Sequence, residues 1–546
     1  MGYNLSIIDI AVIVLFELFI IWWALKNRKN GNANEYFLAG KSQNWFVVGA
    51  SLFAASVSSS TLMGHSGEGF ISGLAVFNYN VGAVFVIIFV SLFFLPFYIK
   101  SGIYTIPEYL GRRFDNRSRK YFSFITIIGN VFLDAGAALY TGALILNIIF
   151  PEIDMMWVIV VMALLAGVYT IVGGLSSAIN ADMIQSLILI AGSVMLSVFC
   201  FDSIGGWENF ATHFHDGVWL KLVRPNTDTT VPWFSIFLSI PILGFYFWGN
   251  NQVIVQRVMS AKNVNEGRLG FLFVAFLYLF TLFIFIMPGM TGRMMDLFGT
   301  GVSLPGEIVD GNTLRELFGI NTNEVYPRLI MKLLPVGLIG LMIACMVSAL
   351  TSTLSAALSS VSTLFTMDFY KSWRPDSTPQ HLVRVGQWTS FIALAIAVVW
   401  APLIGKFASL VAYYQEFSSY LAPPIVATFF VGLFWKGATR NGAFAGLMSG
   451  LVASIIIMTY KFGFGGIMPF HFLLWVPVLF VFSIIVNVSV SLYDNGDLNK
   501  NTEYTWTRAI WREDTLELKA VPWYRNFRYI SVILVILALA EYVIFF

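Results

Sequence analysis

The sequence predicts an all-α polytopic membrane protein in which two helices, placed in inverted halves of the chain, are broken at mid-membrane. Three observations carry this. Of 546 residues, 58% are hydrophobic and 11% charged, and the mean hydropathy is +0.76, whereas a soluble domain carries about 25% charged residues. Apolar segments of the ~20 residues needed to cross a ~30 Å hydrocarbon core recur along the chain. Two of them are interrupted by residues that suit neither lipid nor a straight helix. The net charge of +2 is too small to imply a nucleic-acid partner, and Cys200 and Cys345 fall in apolar runs where no disulfide framework is expected.

Fourteen spans follow in order: 7–26, 46–65, 76–99, 121–149, 156–173, 181–201, 232–256, 270–290, 329–366, 385–403, 407–435, 441–460, 470–492 and 527–545. The first lacks a basic leader and reads as a retained span, not a cleaved signal. Alternating the connections between two faces puts 24 of the 32 Lys and Arg residues on one side, including Arg112, Arg113, Arg117, Arg119 and Arg257, and 8 on the other. The positive-inside rule makes the rich side cytoplasmic and both termini external, in the plasma membrane. Connections 202–231 and 291–328 then face outward, either as solvated loops or as lids. The 493–526 loop carries both signs of charge and reads as a cytoplasmic connector.

The first interruption lies in 47–73, whose middle is Ser56, Ser58, Ser59, Ser60 and Thr61. Hydroxyl residues at that density make a poor lipid face. They suit a tight helix crossing, or a helix that leaves its path where protein or water takes the freed backbone groups. The second lies in 231–257, where Pro241, Gly244, Gly249, Asn250, Asn251 and Gln252 weaken a straight helix. Each interrupted span leads four more, so 46–201 and 232–435 hold five spans each. Five is odd, so the second set enters the membrane upside down, the arithmetic of an inverted repeat. The chain then divides into a leading helix and cytoplasmic loop (1–45), a first repeat (46–201), an outer loop (202–231), a second repeat containing loop 291–328 (232–435), and three C-terminal helices (436–546).

Six stretches carry a family resemblance: YFLAGKSQNWFVVGASLFAASVSS (36–59), YTIPEYLGRRF (104–114), YTIVGGLSSAINADMIQ (169–185), NNQVIVQRVMSAK (250–262), STLFTMDFY (362–370) and FFVGLFWKGATRNGAFAG (429–446). In order and over nearly the whole chain, they resemble the sodium/solute symporter family, above all its bacterial sodium/glucose and sodium/galactose cotransporters. The resemblance implies a leucine-transporter-type 5+5 inverted repeat with one extra helix before it and three after. It also implies sodium as coupling ion and a sugar or sugar derivative as cargo.

Sodium is a hard cation that takes oxygen ligands. The resemblance places its site at the carbonyls of Ala54, Val57 and Ala349 and the hydroxyls of Ser352 and Thr353. Read as residues alone, the same hydroxyls can bond to their own i−4 carbonyls or to a neighbouring helix. Asp182, an acid in an otherwise apolar span, is a functional candidate by its cost; the family links an acid here to ion passage or a second sodium. Two-sodium members add a hydroxyl where this chain has Ala349, which favours one ion.

The resemblance places the solute against Thr61, Asn80, Ala83, Gly244, Tyr278 and Gln415, with Phe247 as an aromatic platform and His65, Tyr79 and Val411 as outer gate. Planar polar side chains and a ring suit a sugar's hydroxyls and apolar face. Departures from the galactose-type pattern are Thr61 for Gln or His, Asn80 for a carboxylate, Gly244 for Asn, Tyr278 for Lys and Phe247 for Tyr, and they argue for a different solute. Loss of the carboxylate at Asn80 and a protonatable His65 leave a uronate open; loss of Lys at Tyr278 opposes it, and a lone His such as His65 is more often a gate or packing residue. Tyr413 and Tyr414 are lining or interfacial aromatics, and Glu416 is expected to be hydrogen-bonded in a structural role.

A membrane enzyme is disfavoured, since His65, His213, His215, His381 and His471 do not cluster with acids at metal-like spacing. A sodium-gated sensor is disfavoured because the chain ends a few residues after its last span. A symporter for an organic anion or amino acid remains the alternative cargo reading.

Overall fold

The structure, a computed structural model, describes residues 5–26, 41–100, 102–149, 152–215, 217–226, 228, 230–295, 297–298, 311–404, 410–464, 471–494, 502–519 and 521–546. Each of the fourteen apolar segments falls on helix. Ten helical runs among the described residues are long and apolar enough to cross a membrane alone, or eleven if Val264–Leu279 and Leu282–Met294, bent by 42°, form one span. The described residues also hold the shorter apolar helix Trp45–Ser56, with which the first broken span starts.

Both interruptions are real. Trp45–Ser56 stops where Val57 leaves the helical region (φ −101°, ψ 79°), and Ser59–Ser72 restarts behind extended Ser58. Ser58 caps the new helix by accepting the Thr61 N–H at 3.2 Å, the ordinary role of a serine at such a start. In the second span, Ile240–Phe245 passes into a π-helical turn, Tyr246–Asn250, before extended Asn251 caps Gln252–Val258 through its side chain. Pro241 sits in the first turn of Ile240–Phe245, where its missing N–H is harmless. The break therefore falls at Asn250 and Asn251, not at the proline.

The two broken helices are also joined at one end, where Gln43 N–H donates to the Ser260 carbonyl (3.1 Å) and Lys262 N–H to the Gln43 carbonyl (3.0 Å). Leu338–Leu364 forms the centre, packed along Met155–Ser203 and against Trp45–Ser56. From Met342 to Leu364 every residue is buried except Thr353. The helix assignment over Met155–Ser203 is unbroken for 49 residues, where hydropathy places two spans and a loop; the intervening GGLSSAIN contains no proline, so its backbone keeps the helical path.

The extra helices lie outside. Of the apolar window in Leu338–Trp373, 83% is buried, against 22% in Phe527–Ile544, whose exposed Val532, Ile536 and Val543 form the kind of face lipid covers. The leading helix Ile7–Lys26 is pinned by Asp9, which accepts the N–H groups of Gly337 (2.7 Å) and Gly340 (2.8 Å) at the start of Leu338–Leu364. A carboxylate there answers the free amides and positive end of that helix.

Candidate functional site

Where the two breaks face each other there is a cavity of about 190 Å³, lined from the first broken helix by Ser56, Ser58, Ser60, Thr61 and His65 and from the second by Gly244, Tyr246, Phe247 and Trp248. That is many times the roughly 10–15 Å³ needed to admit one water, so the cavity has room for a small polar solute. Thr61, Asn80, Ala83, Gly244, Phe247, Tyr278 and Gln415 all line it, as do His65 and Tyr79. Val411 lies on Leu410–Phe434, but its side chain is outside the described residues.

Several of these groups are already tied into the frame. The Thr61 hydroxyl donates to the Ser56 carbonyl across the break (3.2 Å), and Asn80 donates to the Thr281 hydroxyl (2.7 Å). His65 Nδ1 lies 3.0 Å from the Thr61 carbonyl, so that nitrogen carries the proton, and the ring stands edge-on to Phe285. Phe247 and Tyr278 each meet Trp248 edge-to-face at 5.1 Å, making an aromatic wall rather than a single platform. Gly244 keeps the wall close: a Cβ would stand 3.1 Å from Val86 Cγ2.

The proposed sodium ligands separate into two groups. No backbone N–H reaches the carbonyls of Ala54 or Val57 among the described residues, as expected for the last turn of a helix that stops in mid-membrane. Thr353 lines the cavity and donates to the Ala349 carbonyl at 3.0 Å, leaving its oxygen lone pairs available. Ser352 points away from the cavity. It donates to Asp182 Oδ1 (2.5 Å), while Asp182 Oδ2 takes Arg257 Nη2 (2.8 Å) and the Ser51 hydroxyl (2.9 Å). Asp182 and Arg257 are each 1% exposed, so Asp182 is one half of a buried, charge-balanced pair. Arg257, counted among loop cations by sequence, belongs inside the protein.

Sequence reasoning missed Asp134 and Tyr246 and gave Arg257 and Ser60 no individual role at the site. Asp134 was within reach: it is an acid inside span 121–149, the criterion that singled out Asp182. Ser60 pairs with Thr141 at 2.6 Å, which only the packing of distant segments reveals. Glu416 does take a structural part, bonded to Lys461 and to the Tyr420 hydroxyl. Tyr414 lines the cavity, whereas Tyr413 is bonded between Trp400 and the Phe132 carbonyl. Among the described residues no three His, Cys, Asp or Glu side chains gather as a metal site.

Comparison with known proteins agrees with this architecture. The sodium:solute symporter family profile matches residues 36–450. A sodium/glucose cotransporter of Vibrio parahaemolyticus is 33% identical over 92% of this chain and 94% of its own, and sodium/glucose cotransporter 4 of Danio rerio is 31% identical over 95% and 84%. A substrate-bound, outward-open Na+-coupled sialic acid symporter superposes with a TM-score of 0.74 at 22% identity, over 89% of this chain and 98% of its own, which establishes the shared fold. With two mid-membrane breaks facing one cavity, and a match running through both repeats, the chain belongs to the sodium:solute symporter family.

Proposed function

We propose that the protein is a sodium-coupled symporter that imports a single hexose-like sugar by alternating access around the two broken helices. The observation that carries this is the cavity itself. Both interruptions line one space of about 190 Å³ walled by rings and amide or hydroxyl groups, with Thr353 among its lining residues and the carbonyls of Ala54 and Val57, which no backbone N–H reaches among the described residues, at the first break. Relatives named as sodium/glucose cotransporters match along nearly the full chain.

In this reading Ala54, Val57, Ala349 and Thr353 supply sodium oxygens, and Ser352 supplies a lone pair while its hydroxyl keeps donating to Asp182. Asp182 does not bind the ion in the paired state; it holds Ser352 in place and lies on the ion's route to the basic face. Asn80, Gln415 and Tyr278 orient sugar hydroxyls, Phe247 and Trp248 cover the apolar face, and Thr61, Ala83 and Gly244 shape the floor. His65, Tyr79 and Val411 form the outer gate. The basic face is cytoplasmic, both termini lie outside, and the membrane is the plasma membrane.

Sodium binding couples to sugar binding because the ion's carbonyls belong to the break whose next turn, Ser59–Ser72, carries Thr61 and His65. The experiment is sodium-dependent uptake of a labelled hexose panel into proteoliposomes, in parallel with melting-temperature shifts. Sodium is expected to increase both uptake and solute-induced stabilisation. Stabilisation by the best solute that sodium leaves unchanged defeats the coupling.

A further inference from the structure

The cavity contains an acid that the site described above does not use. Asp134 lies near the middle of the apolar run Asn116–Ile149, on a π-helical turn, Asn130–Ala135, and it lines the cavity. The second broken helix offers its own π-turn, Tyr246–Asn250, to the same space. Such turns insert a residue into a helix and redirect the side chains around it, and they gather at functional sites. The base of the Asp134 turn is fixed by Asn130, bonded to Ser360 of the central helix.

Asp134 has a partner in the Tyr414 phenol, and Tyr246 stands nearby. One phenol occupies only one of the several acceptor sites of a carboxylate. Among the described residues no Lys or Arg lines the cavity and no cation is ion-paired with Asp134. His65 Nδ1 is engaged by the Thr61 carbonyl. An acid inside an apolar span is kept at a cost, which makes it a functional candidate, and Asp134 faces the cavity.

We infer that Asp134 is a specificity-determining contact for the transported solute: it accepts hydrogen bonds from the solute's donors, hydroxyls or an ammonium, and rejects sugars that carry a carboxylate. The inference rests on the solute cavity assigned above and refines its cargo. It removes one reason the sequence gives for a uronate, since the carboxyl group absent at Asn80 is present in the cavity at Asp134. Neutral hexoses and amino sugars share the donor chemistry, and the two are separated by experiment.

The test uses the purified full-length protein with glucose and galactose, glucosamine, and glucuronate and galacturonate. Each is read as competition with labelled hexose uptake and as a melting-temperature shift. Wild type should favour the donor sugars over the uronates by roughly tenfold or more in half-effective concentration, about 1.4 kcal/mol. Asp134→Asn should lower that ratio roughly tenfold. If ammonium is the natural partner, glucosamine loses more than glucose; if hydroxyls are, the two lose alike.

Tyr414→Phe provides the control for a purely structural acid. It removes the protein partner of Asp134 but keeps the carboxyl group, so a solute contact predicts retained discrimination and a structural acid predicts the Asp134→Asn pattern. Uronates bound as well as their parent sugars, a ratio unchanged by Asp134→Asn, or a panel in which no hydroxylated or aminated member binds overturns the assignment. Solute shifts that ignore sodium defeat the symport reading instead, while the selectivity ratio still decides Asp134.

Discussion

At the scale of single residues, the buried group Asp182, Arg257, Ser51 and Ser352 joins four separate segments by hydrogen bonds of 2.5–3.1 Å. Removing one partner of a buried pair leaves the other charge uncompensated, at a cost of about 3–5 kcal/mol. Asp182→Asn is therefore expected to lower stability by that order in a denaturation series, and Asp182→Asn combined with Arg257→Gln should recover part of the loss. A double variant no more stable than the single one would show that the charges are not coupled. Ser352→Ala should keep the fold but raise the sodium concentration for half-maximal uptake by roughly tenfold, the scale of one lost ligand hydrogen-bond equivalent of ~1.4 kcal/mol. An unchanged sodium requirement places the ion elsewhere.

At the scale of elements, the serine-rich and glycine-asparagine runs announced the two breaks, because residues that cap or weaken helices do so locally. The π-turns at Asn130–Ala135 and Tyr246–Asn250 were not legible, since the extra residue in each is held by neighbours and not by its own propensity. Helix docking is likewise a matter of contact. Asp9→Ala removes the acceptor for two amides at the start of the central helix, an effect of about 1–2 kcal/mol for a lost cap, readable as a lower melting temperature with solute affinity unchanged. Among the outer helices, Gly442, Gly446 and Gly450 form a small-residue seam against Phe472–Tyr493, where added Cβ atoms would stand 2.6 Å from the Asn487 carbonyl at Gly442 and 3.0 Å from the Ser483 carbonyl at Gly446. Gly446→Leu should therefore reduce yield and thermal stability; a variant as stable as wild type would mean the two helices can part without consequence.

For the whole molecule, the relevant quantity is the work one sodium ion can do. One charge moving inward yields about 2.3 kcal/mol per 100 mV, and a tenfold gradient adds about 1.4, together about 3.7 kcal/mol, enough to hold a neutral solute several-hundredfold concentrated. Proteoliposomes with an inside-negative potential and external sodium should accumulate the sugar, and collapsing either gradient should lower the plateau. A plateau at the external concentration under both gradients would mark a facilitator.

The sequence alone determined the membrane class, the helical segments, the two breaks and the inverted order, because hydropathy and helix-weakening residues act within a few residues of where they stand. Only the tertiary structure decided that Ser352 turns to Asp182 while Thr353 faces the cavity, that Arg257 is buried, and that Asp134 shares a space with Tyr414 and Phe247. Those facts depend on which distant helices meet, and on how each is rotated about its axis when it does.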